Sequence, residues 1–172
     1  AALILPLLML LTSVAGASFT GTVAAFASQA FGAQKPEQAH AVASYAILLS
    51  IGLGVLIAVG FALGGHAVLA TIASIDTVAQ TAYQYGVILF AAAPVILFAN
   101  TMHGLMRAQG NVKTPAQVSV LTALLHLLLA LVFIFDVGGV RRFGIAVPAA
   151  NFLIAFLLPC LWQVAWLRQS AY

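Results

Sequence analysis

The sequence predicts an all-α membrane protein, a polytopic bundle of about five transmembrane helices, and three observations carry that prediction. The first is composition: 64% of residues are hydrophobic and 5% charged, whereas a soluble domain carries about 25% charged residues. The second is block length. Residues 3–31, 39–63, 78–102, 116–135 and 145–167 contain no Lys, Arg, Asp or Glu, and each reaches the roughly 20 apolar residues that a membrane-spanning helix needs. The third is the missing alternation: runs such as Leu124-Leu125-His126-Leu127-Leu128-Leu129 have no period of two, which excludes the strands of a membrane barrel.

The blocks are separated by turn-forming residues in order. Gly32 with Lys35-Pro36-Glu37 closes the first, Gly64-Gly65 before Asp76 the second, and Gly110-Asn111 with Thr114-Pro115 the third. Asp136 to Arg142, with Gly138-Gly139, closes the fourth. Between Val68 and Ile75 the apolar spacing predicts a short amphipathic turn along the interface. The connections are brief, so neighbouring helices run antiparallel and residues 1–172 form one bundle without a separate soluble domain.

Charge fixes the orientation, because Lys and Arg of short loops stay on the cytoplasmic side. Lys35, Arg107, Lys113 and Arg168 fall on one side of alternating helices, against Arg141 and Arg142 on the other, with Asp76 and Asp136. The loops at 32–38 and 104–115 are therefore expected in the cytoplasm, in a multi-pass protein of the cell (inner) membrane. The chain opens at Ala1 inside an apolar run, with no charged region before it, and reads as a piece of a longer protein with an extracytoplasmic start. The net charge of +3 reflects scarce acids and is no nucleic-acid footprint.

Polar side chains inside such blocks face protein or water, because hydrocarbon leaves them unsatisfied. In the fourth block Ser119, Thr122 and His126 share one face with Ala123 and Ala130, opposite Leu121, Leu125 and Leu128. In the first block Ser18, Thr22 and Gln29 share a face, and Ala17, Gly21 and Ala25 form a small-residue stripe that permits close helix approach. His126 lies near mid-block, where an imidazole can load and release a proton near neutral pH or simply bond to a neighbouring helix; both readings stay open. His40, His66 and His103 lie at block ends, where solvated or headgroup-facing roles are expected. Pro94, Pro148 and Pro159 each remove a helical hydrogen bond and permit a bend. Tyr45, Asn100 and Asn151 point into a cavity or bond helices together, Gly60 and Gly64 make a weak packing motif, and Cys160 packs. No carboxylate pair, His/Cys cluster or phosphate-cradling loop is present, so an enzyme reading has nothing to act with.

The stretch Arg107-x-x-Gly110-Asn111-x-Lys113-Thr114-Pro115 resembles the Arg-x-x-Gly-Asp/Asn-x-Arg/Lys-Thr-Pro loop of the multidrug and toxic compound extrusion (MATE) transporters. Gln29, Gly32 and Ala33 resemble that family's Gln-x-x-Gly-Ala loop. The resemblance implies that the blocks are helices two to six of one six-helix lobe, and that a first helix and a second lobe belong to the same full-length chain. It further implies alternating access, with H+ or Na+ exchanged for an amphipathic or cationic drug and no other cofactor. Candidate substrate- or cation-binding residues are then His126, Thr122, Ser119, Thr22, Gln29 and Asn151. Two departures stand out. His126 and Ala130 occupy positions where many members carry Asn and Asp, and residues 144–149 lack the family's usual hydroxyl. Coupling would then fall to His126 or to residues elsewhere in the chain. Two other readings are a lipid-linked oligosaccharide or polysaccharide flippase of the same wider group, which the absence of basic residues within the blocks opposes, and a non-transporting scaffold or truncated remnant.

Overall fold

The computed structural model describes residues 19–73 and 76–135, together with Met9, Ser13, Ile154, Phe156, Leu157 and Leu161. The described residues are helical throughout their long segments: α1 Thr20–Gly32, α2 Pro36–Ile72, α3 Asp76–Phe90, α4 Ala93–Ala108 and α5 Lys113–Ile134. Three stretches are long and apolar enough to cross a membrane: Glu37–Ile72, Asp76–Ala108 and Lys113–Val132. The fifth predicted span, with Asn151, Pro148, Pro159 and Cys160, lies outside the described residues except for Ile154, Phe156, Leu157 and Leu161.

Helix α4 is the hub. It packs on α1, α2 and α5, and it buries Ile96, Leu97, Thr101, Met102, Leu105 and Met106 among other residues. Two apolar clusters result. One joins Leu69 of α2 to Leu89, Phe90, Ala93, Ile96 and Leu97; the other joins Val23 and Ala27 of α1 to Ala46, Met102 and Leu105. Lipid is as apolar as leucine, so these helices gain little from apolar burial as such and hold together through close packing. Glycine permits the closest contacts. A Cβ at Gly54 would overlap the Pro94 Cα, and one at Gly104 would lie 2.9 Å from the Thr20 carbonyl oxygen.

The structure revises several expected boundaries and faces. Helix α2 does not stop near Gly64-Gly65 but continues to Ile72, so residues 68–72 are its last turns and not a separate interfacial turn. A tertiary contact offsets the helix penalty of about 1 kcal/mol per glycine. Phe61, one turn back on the same helix, covers the buried Gly65 and stacks on Phe90 of α3 at a centroid distance of 4.3 Å. Tyr83 of α3 donates a 2.6 Å hydrogen bond to the Ala62 carbonyl in the same region. At 37 residues α2 is about 55 Å long, well beyond a hydrocarbon core of about 30 Å, and ordinary tilt does not absorb the difference. One end or both must project into the headgroups.

The third block divides at Ala91–Ala92 into α3 and α4, and the helix then runs past Met102 to Ala108. Pro94 causes the interruption, because it cannot donate to the Phe90 carbonyl. The small-residue stripe of the first block also faces elsewhere. Gly21 and Ala25 are exposed, a Cβ on Gly21 would meet nothing, and the buried face is Thr20, Val23, Ala27 and Ala30. Small residues do bring α1 against α4, but on a neighbouring face, because the glycine that makes room sits on α4. Gly60 also has open space around it, as does Gly64, so their motif makes no close contact among the described residues.

Gly54→Ala should therefore destabilise the full-length chain by about 1–3 kcal/mol through overpacking, while Gly60→Ala should be neutral or mildly stabilising. Thermal unfolding of the two variants in the same detergent checks the contrast. Equal melting temperatures would contradict the assigned contact.

Candidate functional site

The basic turn between α4 and α5 is built from two interlocking caps. Gly110 adopts φ +81°, its N–H bonds to the Arg107 carbonyl at 3.0 Å, and the Asn111 N–H bonds to the Met106 carbonyl at 3.0 Å. These two bonds and the left-handed glycine are a Schellman termination of α4. Asn111 then starts the next helix: its Oδ1 accepts the Thr114 N–H at 3.1 Å, and its Nδ2 donates to Thr114 Oγ1 at 3.0 Å. An amide side chain bonding the N–H three residues on is helix N-capping. Thr114 and Pro115 are buried, while Arg107 and Lys113 are exposed. Gly110, Asn111 and Thr114 of the motif thus serve the caps, and the side chains of Arg107 and Lys113 stay exposed.

The turn after α1 repeats the termination with a different residue at the critical place. Gln34 N–H bonds to the Phe31 carbonyl at 3.1 Å and Lys35 N–H to the Ala30 carbonyl at 3.3 Å. Here the left-handed position, φ 54°, belongs to Gln34 and not to Gly32. Gln29 is exposed in the last turn of α1, where its carbonyl accepts the Ala33 N–H at 3.0 Å. Pro36 then opens α2, where its missing N–H is no loss.

A groove of about 910 Å³ is walled by α1 and α2. Phe19, Phe26 and Tyr45 supply its aromatic rings, Leu49 and Leu56 its aliphatic floor, and Thr22 with Tyr45 its hydroxyl groups. Ligand sites occupy about 300–1,000 Å³ and combine an apolar wall with few polar groups, which matches this lining. Tyr45 lies about 14 Å along α2 from its first residue and is 72% exposed.

Of the residues predicted from sequence, Thr22 lies in this groove, and Gln29 is two turns along the same helix. Ser119, Thr122 and His126 lie on α5, whose firm contact is with α4. Ser119 donates to the Pro115 carbonyl at 2.9 Å and Thr122 to the Val118 carbonyl at 2.9 Å, so both hydroxyl protons are spent on their own helix and their oxygens remain able to accept. Ser119 and His126 are exposed and Thr122 is half-buried. Leu125, expected opposite them, is half-buried too, because the packed edge of α5 runs through Val118, Thr122 and Leu125. Asn151 lies outside the described residues. His103 departs from its expected solvated role: it is half-buried on α4, and its Nε2 is buried with no hydrogen-bond partner.

Two glycines that hold these helices in register, Gly54 and Gly104, were not distinguishable in the sequence from Gly52 or Gly60. The one available signal for Gly54 was its apolar helix paired with an internal proline elsewhere, and pairing is a tertiary fact.

Comparison with known proteins follows the same turns and helices. The sequence profile of the MatE family matches residues 1–132. The chain belongs to the MatE family. It is 26% identical over 144 residues to the probable multidrug resistance protein YoeA of Bacillus subtilis (strain 168), covering 84% of this chain and 31% of that protein. An inward-facing multidrug resistance MATE transporter of the MOP superfamily superposes with a TM-score of 0.86 at 25% identity, over 95% of this chain and 36% of that one. A MATE structure in complex with MaD3S gives 0.85 at 27% identity, over 96% and 36%. A MOP superfamily transporter from Pyrococcus furiosus Vc1, with a binding pocket of reverse polarity, gives 0.83 at 27% identity, over 96% and 36%. The MatE chain described here thus spans about a third of the length of these relatives, and is a multi-pass membrane protein of a transporter family.

The caps lead to a paired expectation. Gly110→Ala should lower stability by about 1 kcal/mol, since an alanine Cβ is disfavoured at that φ, and Asn111→Ala should cost a similar amount. Gln34→Gly should leave stability unchanged or raise it by less than about 1 kcal/mol, because relieved strain offsets added chain entropy. Melting curves of the three variants in one detergent test the set, and a Gly110→Ala variant as stable as the parent would refute it.

Proposed function

We propose that the full-length chain is a secondary active antiporter of the cell membrane that exports amphipathic or cationic compounds in exchange for H+ or Na+ by alternating access. The observation that carries this reading is the match, over nearly the whole chain, to proteins named as multidrug transporters. The groove supports it independently. Aromatic rings with two hydroxyls and no charge suit a flat lipophilic cargo, whose positive charge gains from ring faces without a fixed counter-ion. In this reading Thr22 and Tyr45 contact cargo, Gln29 and Asn151 are further polar contacts, and Ser119, Thr122 and His126 form the cation line. Helices supplied by the rest of the full-length chain, a first helix and a second lobe, complete the cavity.

A flippase of lipid-linked oligosaccharides in the same superfamily is the reading to set beside it, given the reverse-polarity pocket of the Pyrococcus furiosus neighbour. A cargo with a phosphate headgroup would call for Arg or Lys. The groove lining contains neither.

Efflux of a fluorescent lipophilic cation from proteoliposomes, driven by either an H+ or an Na+ gradient, tests the proposal. Tyr45→Ala should raise the apparent KM about twofold to tenfold through loss of an aromatic contact, with melting temperature kept. His126→Ala should abolish proton-driven efflux. Unchanged proton-driven efflux in that variant would remove His126 from coupling, and absence of gradient-driven efflux in the unsubstituted protein would defeat the antiporter reading itself.

A further inference from the structure

Between α3 and α4 the backbone ladder is broken in two places within one turn. Ala92 N–H bonds back to Leu89 at 3.1 Å and not to Ile88, which leaves the Ile88 carbonyl without its helical donor. Pro94 has no N–H, so the Phe90 carbonyl loses its donor as well. Regular bonding resumes with Ile96 N–H to the Ala92 carbonyl at 3.0 Å. Lipid tolerates such a break only where protein covers it, and Phe90, Ala92 and Ala93 are buried.

What surrounds the break is asymmetric. On one side the Gly54 backbone touches the Ala93–Pro94 backbone with no side chain between them. On another side Pro94 borders an apolar pocket of about 310 Å³, lined also by Ile51, Val95, Phe98, Leu157 and Leu161. Beyond the break the two halves have different main partners, although Ala46 of α2 also packs with Met102 and Leu105 of α4. Helix α3 is tied to the far half of α2 by the Tyr83 to Ala62 hydrogen bond and the Phe61–Phe90 stack. The far half of α4 is tied to α1, where Gly104 meets the Thr20 backbone.

We propose that residues 90–94 are a hinge whose fulcrum is the bare backbone of Gly54, so that α4 changes its angle to α3 and carries α1 and the Arg107 to Pro115 turn with it across the surface of α2. Two missing backbone bonds lower the resistance to bending at this point. The fulcrum keeps the contact distance constant while the angle changes, because a glycine backbone offers no side chain to unseat. The neighbouring pocket gives the moving Val95 and Phe98 side chains room. Alanine at Gly54 would wedge the hinge, and alanine at Pro94 would restore one bond and stiffen it.

Two measurements on the full-length chain in lipid nanodiscs test this, and neither depends on transport, so their failure is distinguishable from failure of the antiporter reading. Spin labels at Gln80 and Gln109, both exposed and on opposite sides of the break, should give two distance populations that collapse to one in Pro94→Ala. A single narrow population shared by both proteins would overturn the hinge. Hydrogen exchange of the unsubstituted chain needs no folded variant: amides 91–93 should exchange at least about tenfold faster than those of residues 97–102. Equal protection of the two stretches would also overturn it.

Discussion

Backbone-to-backbone contact at Gly54 and Gly104 is the constraint on which the rest of this bundle depends. In water a helix as apolar as α2 would be driven together with its neighbours by solvent, but in a bilayer its exposed leucines are already at home. Helix association then rests on how closely two backbones can come. Removing one Cβ at Gly54 lets the α3–α4 junction sit on α2, and removing another at Gly104 lets α1 lie on α4. With those two distances set, α4 becomes the buried axis, α1 and α2 are placed side by side, and the groove between them exists. The aromatic stack of Phe61 and Phe90 and the Tyr83 hydrogen bond then fix the far end of α2 against α3.

The turns answer a different problem, namely the orphaned carbonyls and N–H groups where helices end. Both described turns on the basic side use the same pair of bonds, one ending at Gly110 and the other at Gln34. Their shared geometry is backbone economy, which leaves the side chains of Lys35, Arg107 and Lys113 exposed. The motif therefore has two separable parts: Gly110, Asn111 and Thr114 form the caps, and the cationic side chains stand outside them.

Polar groups within the spans divide in the same way. Ser50 and Thr101 are fully buried, and each donates back to its own helix, at Ile47 and Leu97, so they are packing elements. Ser119 and Thr122 make the same local bonds but keep a more open position. Tyr45 stands apart, because it combines high exposure with a place in the groove.

Helical class and membrane-spanning character were legible in the sequence, because hydrocarbon permits only internally bonded backbone and excludes unpaired charge. The turn at Arg107 to Pro115 was legible too, since its caps are made by residues within hydrogen-bonding reach along the chain. Which face of α1 would be buried, whether Gly64-Gly65 would end α2, and which glycines would be contacts were decided by tertiary structure alone. Each depends on what lies opposite: the Thr20 backbone under Gly104, Phe90 stacked on the Phe61 ring that covers Gly65, Pro94 against Gly54. A glycine's sequence neighbours are the same kind of apolar residue everywhere in this chain, so only the partner helix assigns it a role.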